Sequence, residues 1–335
     1  LFHNVRAELG TARELAEELL DLARREDVAD YLVTGHFSLG STLFHLGELE
    51  SSRQNFEKAF ALYQAAQHRT YMRVLGLDPG VFSLSYLGHV LWLQGQPDRA
   101  LGNTHRALSL AEALEDPFSQ AIALDYAAIH YLFRREAATA REKAEAALKL
   151  CRQHGFAYYL AWATVMSGWA MTALSEMTGM TGAARREAAV ATMRHGLELL
   201  RTARAELRRP FYLSLLAQAG EPGCLEEALS LVSEERDVWV AAELHRLEAE
   251  SLREGQEREA EVRYRRALDI ARAQGARAFE LRAAVGLARL WSSQGRLDEA
   301  RTLLRGACGP ASDGSETVDS REARSLLDEI SPSAP

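Results

Sequence analysis

Ten histidines, three cysteines and 47 acidic residues are the groups with which this chain of 335 residues could do chemistry. Their spacing assembles no catalytic constellation. A phosphate-binding loop needs Gly-Lys-Ser/Thr, so that backbone amides and a lysine meet the phosphates. The only lysines are Lys58, Lys143 and Lys149, and each follows Glu or Leu. Gly-x-Ser-x-Gly, His-Glu-x-x-His and Gly-x-Gly-x-x-Gly do not occur. His36 and His45 are near each other, with no cysteine or carboxylate at a ligand spacing. Cys151, Cys224 and Cys308 are odd in number, far apart and without CxxC spacing. That pattern speaks against a disulfide framework or a zinc site and fits a reducing, cytoplasmic compartment. The acidic residues read as solvated helix faces with i,i+4 partners. The expectation is a chain with no catalytic residue, no cofactor and no metal. A net charge of −8 argues against nucleic-acid binding, which leaves a basic footprint.

Recognition is the chemistry that remains. With the repeats described below aligned, the first helix of each presents one set of residues to the inside of a superhelix. The set is Phe37, Phe44, His45, Phe82, His89, Trp92, Asp125, Phe133, Trp162, Trp169, Phe211, His245, Arg282 and Arg289. It is aromatic in the first half and basic at the end. One reading is an apolar groove for a peptide or small ligand, with Arg282 and Arg289 available to a carboxylate or phosphate. The other is a tightly wound superhelix that buries these aromatics against itself.

The elements that position them recur at a fixed step. Ala100, Ala140, Ala260 and Ala300 are 40, 120 and 40 residues apart, and Ala107, Ala147, Ala267 and Ala307 repeat those intervals. Gly95, Gly255 and Gly295 form a third column, with Arg135 as its exception. Periods of 20 to 50 residues signal a solenoid of stacked units, and each unit here reads as two amphipathic helices joined by a turn. The predicted fold is all-α: a right-handed α-α superhelix of about seven helical hairpins with a capping helix. Residues 1–25 read as a partial N-terminal hairpin, which suggests the tail of a longer protein. Repeats follow over 30–308, a loop over 309–318, the capping helix over 319–330 and a disordered tail over 331–335. Glu176 to Ala184 is an enlarged turn, the fifth repeat from Pro210 is degenerate, and Leu77 to Gly80 (LDPG) and Asp116-Pro117 read as turns. Phe156 to Ser175 is uncharged over 20 residues, long enough for a membrane span. Its register places it as a buried first helix instead, so no membrane is expected.

These columns resemble the tetratricopeptide repeat (TPR), a helical hairpin with a step of 34 residues in the family. LGHVLWLQGQPDRALGNTHRAL (Leu87 to Leu108) and ARLWSSQGRLDEARTLL (Ala288 to Leu304) carry the pattern. A narrower resemblance covers almost the whole chain. RAELGTARELAEELL (Arg6 to Leu20), DPGVFSLSYLGHVLWLQG (Asp78 to Gly95), DPFSQAIAL (Asp116 to Leu124), RRPFYLSLLA (Arg208 to Ala217) and the stretch from Glu259 to Trp291 are similar to the C-terminal repeats of bacterial signalling proteins. Those proteins join a class III adenylate/guanylate cyclase domain to an AAA-type ATPase.

That resemblance implies a non-catalytic regulatory scaffold. Its partner would be a protein or peptide, including upstream domains of the same chain. The alternative is a small-ligand (inducer) sensor of an ATPase-type transcription regulator. In either case the ligand-binding residues expected on the inner groove are Phe37, Phe44, Phe82, Trp92, Phe133, Trp162, Trp169, Phe211, Arg282 and Arg289.

Overall fold

The computed structural model describes residues 2–26, 29–177, 182–234, 237–252, 254–309 and 316–331. Leu1, residues 178–181 of the enlarged turn, residues 310–315 of the expected loop and residues 332–335 of the expected tail lie outside the described residues. Among the described residues are 18 α-helices and no strand. A short α1 (Phe2–Val5) leads into α2 (Leu9–Glu26). Seven hairpins follow: α3 (Ala29–His45) with α4 (Leu49–Leu62), α6 (Pro79–Leu93) with α7 (Pro97–Ala113), α8 (Pro117–Phe133) with α9 (Ala137–His154), α10 (Ala157–Met177) with α11 (Ala183–Thr202), α12 (Arg209–Gln218) with α13 (Cys224–Ser233), α14 (Ala241–Ser251) with α15 (Glu257–Gln274), and α16 (Arg277–Ser293) with α17 (Leu297–Ala307). The additional residues after α4 form α5 (His68–Leu75), and α18 (Val318–Ile330) closes the stack.

The two Asp-Pro pairs begin helices rather than forming turns. The Asp78 carboxylate accepts from the Val81 N–H and the Asp116 carboxylate from the Ser119 N–H. Proline then occupies the first helical position, where no amide hydrogen is needed.

The glycine column marks where each first helix stops. Gly95 (φ 76) and Gly295 (φ 78) are left-handed, and the next residue's N–H closes back on the helix: Gln96 to the Leu91 carbonyl, Arg296 to that of Trp291, both 2.9 Å. This is the capping turn that glycine adopts at no steric cost. Arg135 takes the same conformation (φ 58), with Glu136 N–H on the Tyr131 carbonyl at 2.9 Å. A non-glycine residue there costs roughly 1–2 kcal/mol. Its side chain supplies a compensation that glycine could not, since it pairs with Asp319 at 2.9 Å and Glu322 at 2.6 Å on α18.

The alanine columns let paired helices approach closely. Ala100, Ala140 and Ala300 are fully buried. Backbone comes very close at Gly168, where a Cβ would sit 2.8 Å from the Ala189 carbonyl oxygen and 2.9 Å from the Met193 nitrogen.

Second helices such as α7 and α9 bury one stripe, but every residue of α6 is buried and α8 is nearly so. A helix apolar on all sides is covered on all sides. The cover comes from the chain's other end. α6 packs on α16 as well as on its neighbours. Gln274 of α15 donates to the Val238 carbonyl at 2.9 Å and reaches the turn at Gly47. Arg277 lies against the turn at Gly95, and Arg282 donates to the Phe133 carbonyl at 3.1 Å. The last hairpins and α18 thus seat on the turns of the first three, and the superhelix closes on itself.

Alanine substitution separates close approach from intrinsic helix preference. Gly168→Ala should lower unfolding free energy by about 1–3 kcal/mol, because backbone atoms must move. Gly102→Ala, on the exposed side of α7 with nothing within 4 Å, should be neutral or stabilising by up to about 1 kcal/mol. Urea titration of the two variants checks this; equal effects would contradict the packing at Gly168.

Candidate functional site

Arg208 lies between α11 and α12 in the left-handed region, with φ 63. Its side chain is wholly buried. The guanidinium carbon is surrounded by five aromatic rings, with centroids at 5.0 Å (Trp162), 5.2 Å (Tyr126), 5.3 Å (Phe44), 5.5 Å (Tyr86) and 5.6 Å (Trp239). None of its three side-chain nitrogens has a hydrogen-bond partner. A guanidinium stays charged at any biological pH. Cation–π contacts of about 0.5–2 kcal/mol each are of the size needed to offset the several kcal/mol of burying one ion. They leave its N–H donors without an acceptor, a cost of about 1–3 kcal/mol for an unmet buried group.

The position of Arg208 is set through its backbone. Its N–H donates to Asp237 Oδ2 at 2.5 Å. Asp237 Oδ1 meets His45 Nδ1 at 2.5 Å, and His45 Nε2 meets the Tyr86 hydroxyl at 3.0 Å. Ser41 donates to that hydroxyl at 3.1 Å, and Asn4 of α1 donates to Ser41 at 3.3 Å. Burial holds the His45 pKa below its ordinary value, against the pull of Asp237. The imidazole is therefore neutral, donating from Nδ1 to Asp237 and accepting at Nε2 from Tyr86. Asp237 is also left-handed, with φ 57. Two such non-glycine residues in one hydrogen-bonded pair, each costing on the order of 1–3 kcal/mol, are the sort of strain that collects at functional sites.

Beside this cluster lies a partly open cavity of about 400 Å³. Leu77 and Phe82, Phe118, and Phe156 and Tyr158 line it from the starts of α6, α8 and α10, and Asn4, Val5, Ala203, Ala205 and Leu207 close it. The covering segments are tied together, since the N–H groups of Glu206 and Leu207 both donate to the Val5 carbonyl, at 2.8 and 3.1 Å. Tyr86, Tyr126 and Trp162 belong both to the cavity wall and to the rings around Arg208. The Tyr158 hydroxyl and the Trp162 indole N–H are buried without a partner. Burial pushes the Tyr126, Tyr158 and Tyr159 hydroxyls well above their ordinary pKa, so they stay neutral.

The inner-face residues expected from the sequence are not brought to one open groove. Phe37, Phe82 and Trp162 line the cavity, and Phe44 belongs to the cage. Trp92, Phe133 and Phe211 are buried, the last two packed on Trp239 at 6.1 and 5.3 Å. Trp169 borders a separate hollow with Arg246 and Glu250. Arg282 is not free for a ligand anion: it is taken up by Asp319 at 2.7 Å, Glu243 at 3.4 Å and the Phe133 carbonyl. Arg289 is exposed. Closure of the superhelix is the cause, since the first and last repeats occupy the space a groove would need.

Arg208, Tyr86, Tyr126, Tyr158 and Asp237 were not reached from the sequence. Arg208 and Asp237 flank the degenerate fifth repeat, where no column exists to align them. A signal was available in the uncharged, aromatic start of α10, FAYYLAW, which has no polar side to give to water. Among the described residues, no group of three His, Cys, Asp or Glu side chains is placed to hold a metal. No single helix among them is long and apolar enough to cross a membrane.

No protein-family profile matches the sequence, and no curated protein matches it. Among solved structures, the crystal structure of the yeast Tom70 aligns over 97% of this chain and 86% of its own, with 15% identity and a TM-score of 0.31. The all-helical architecture rests on the helices and packing described above.

Three buried histidines predict an acid limb. Burial lowers the pKa of His45 and His89 and takes that of His130 down to about 3. A group depressed in the folded state stabilises above its unfolded pKa, about 6.5, and that stability is lost as pH falls. Below pH 6.5 each should cost on the order of 1 kcal/mol per pH unit. Melting temperature should fall steadily from pH 6.5 to 4.5, and His130→Phe should flatten the fall. A pH-independent melting temperature over that range would contradict the burial of neutral imidazoles.

Proposed function

We propose that this chain is a non-catalytic sensor module: a helical-repeat scaffold that takes a small, largely apolar ligand inside and reports its presence to a protein. The observation that carries this is the cavity of about 400 Å³ walled by aromatic rings, with a buried, unpartnered cation behind them. That volume is within the range of small-molecule sites. With the inner helices packed on one another, protein contact falls to the outer faces of the hairpins. Following the sequence resemblance, the partner would be a cyclase or ATPase domain of the same signalling protein, or the ATPase core of a transcription regulator. The cavity is covered by α1 and residues 203–207, so an occupant would act on the N-terminal hairpin.

Titration with N-phenyl-1-naphthylamine, a neutral fluorescent probe, tests the reading. One saturable site per chain is expected, with a rise in melting temperature as binding to the native state requires. Ala157→Trp, which puts an indole at the cavity wall, should weaken binding at least tenfold while leaving the helical spectrum unchanged. Weak, non-saturating binding that Ala157→Trp does not alter would refute a ligand cavity.

A further inference from the structure

Resting on the cavity as a ligand site, we infer that its ligand is an organic acid. An oxyanion, foremost a carboxylate, is taken by Arg208, and a flat apolar body lies along Tyr86, Tyr126 and Trp162. Hydrogen-bond polarity is the first ground. Of the unpartnered atoms gathered here, the three nitrogens of Arg208 and the indole nitrogen of Trp162 can only donate. The Tyr158 hydroxyl, also unpartnered, can donate as well as accept. A set in which the charged fork and the indole can only donate calls for a group made of acceptors, and an ionised acid is that group. The planar guanidinium fork matches two carboxylate oxygens at once.

Charge is the second ground. Asp237 is an acid in electrostatic contact with Arg208, yet both its oxygens are engaged elsewhere, one by His45 and one by the backbone N–H of Arg208 itself. The fold supplies a counter-charge nearby and withholds it from the guanidinium hydrogens. A cationic ligand would meet like charge, because the aromatic cage already holds one cation.

Position is the third. Leu207 is part of the cavity wall and Arg208 is the next residue. Three of the five rings around the guanidinium are cavity wall on one side and cage on the other. Arg208 is itself outside the cavity wall, so the acid group reaches it by displacing one of those rings. The rest of the wall, Phe82 and Phe118 among it, offers apolar surface suited to an aromatic or hydrocarbon body. A sugar or a free nucleotide would leave its hydroxyls unmet there.

Calorimetry with 1-naphthoate, 1-naphthamide, 1-naphthyl phosphate and 1-naphthylmethylammonium separates the possibilities. The acid should bind about tenfold or more tightly than the amide, as charge-assisted pairs exceed neutral ones. Arg208→Gln should abolish that preference while keeping the amide's affinity, and Arg208→Lys should keep part of it. The acid-to-amide ratio in the unaltered protein needs no variant, so it decides even where Arg208→Gln fails to fold. Tighter binding of the phosphate than of the carboxylate supports the oxyanion and assigns it to a phosphate ester. Equal binding of acid and amide, a preference that survives Arg208→Gln, or tightest binding of the ammonium compound would overturn the inference and leave the cavity standing. Absence of saturable binding by all four, together with failure of the neutral probe, would remove the cavity reading itself.

Discussion

A guanidinium ion enclosed by five aromatic rings and offered no acceptor is the constraint to which the rest of this molecule answers. The rings come from four different hairpins and from the short turn at Val238–Val240. They can meet at one point only when the superhelix is wound tightly enough for its inner helices to share an axis. Trp239 makes this concrete: it is fully buried and touches Phe44, Phe133, Phe211 and Phe279, drawn from the first to the last hairpins. Removing the cation would leave an apolar lumen, and removing the rings would leave a buried charge without compensation.

Closure is reinforced from outside by ion pairs that cross the chain. Arg282 joins Asp319 of α18 and Glu243 of α14 to the end of α8, and Arg246 lies on the other side of Glu243 at 2.8 Å. The neighbouring arginines hold the Glu243 carboxyl down to about 2 despite its burial. Such a partly dry network orients its members more than it stabilises them. Here it fixes the last helix on the third hairpin's turn, where Arg135 accepts a left-handed backbone for the same purpose. The outcome is a stack with its ends brought together and an aromatic-walled hollow beside Arg208 where packing is incomplete.

The repeat was legible because its signals are local. Gly95 and Gly295 mark left-handed helix ends, and Ala100, Ala140 and Ala300 mark close helix pairs; each depends on a neighbour within one hairpin. Closure depends on pitch accumulated over several hairpins, which no single column encodes. The apolar circumference of α6 and α8 was its one trace, because a helix lining an open groove would keep a polar strip. The site was less legible still. Phe37, Phe82 and Trp162 were reachable by alignment, whereas Arg208 flanks the degenerate repeat and is paired with Asp237 across 29 residues by its backbone N–H. Arg208 is one of two consecutive arginines, and nothing in its neighbours announces a cage assembled from residues 44 to 239.

The closed superhelix is tested most directly by small-angle X-ray scattering from the monomeric chain. A self-packed stack of this length should give a radius of gyration close to 20 Å, the value for a compact chain, with a single symmetric distance distribution. An open solenoid, with helices advancing about 8–10 Å at each step, would give a value above about 25 Å and a long tail to large distances. That result would contradict a filled lumen, and with it the buried arginine and the cavity beside it.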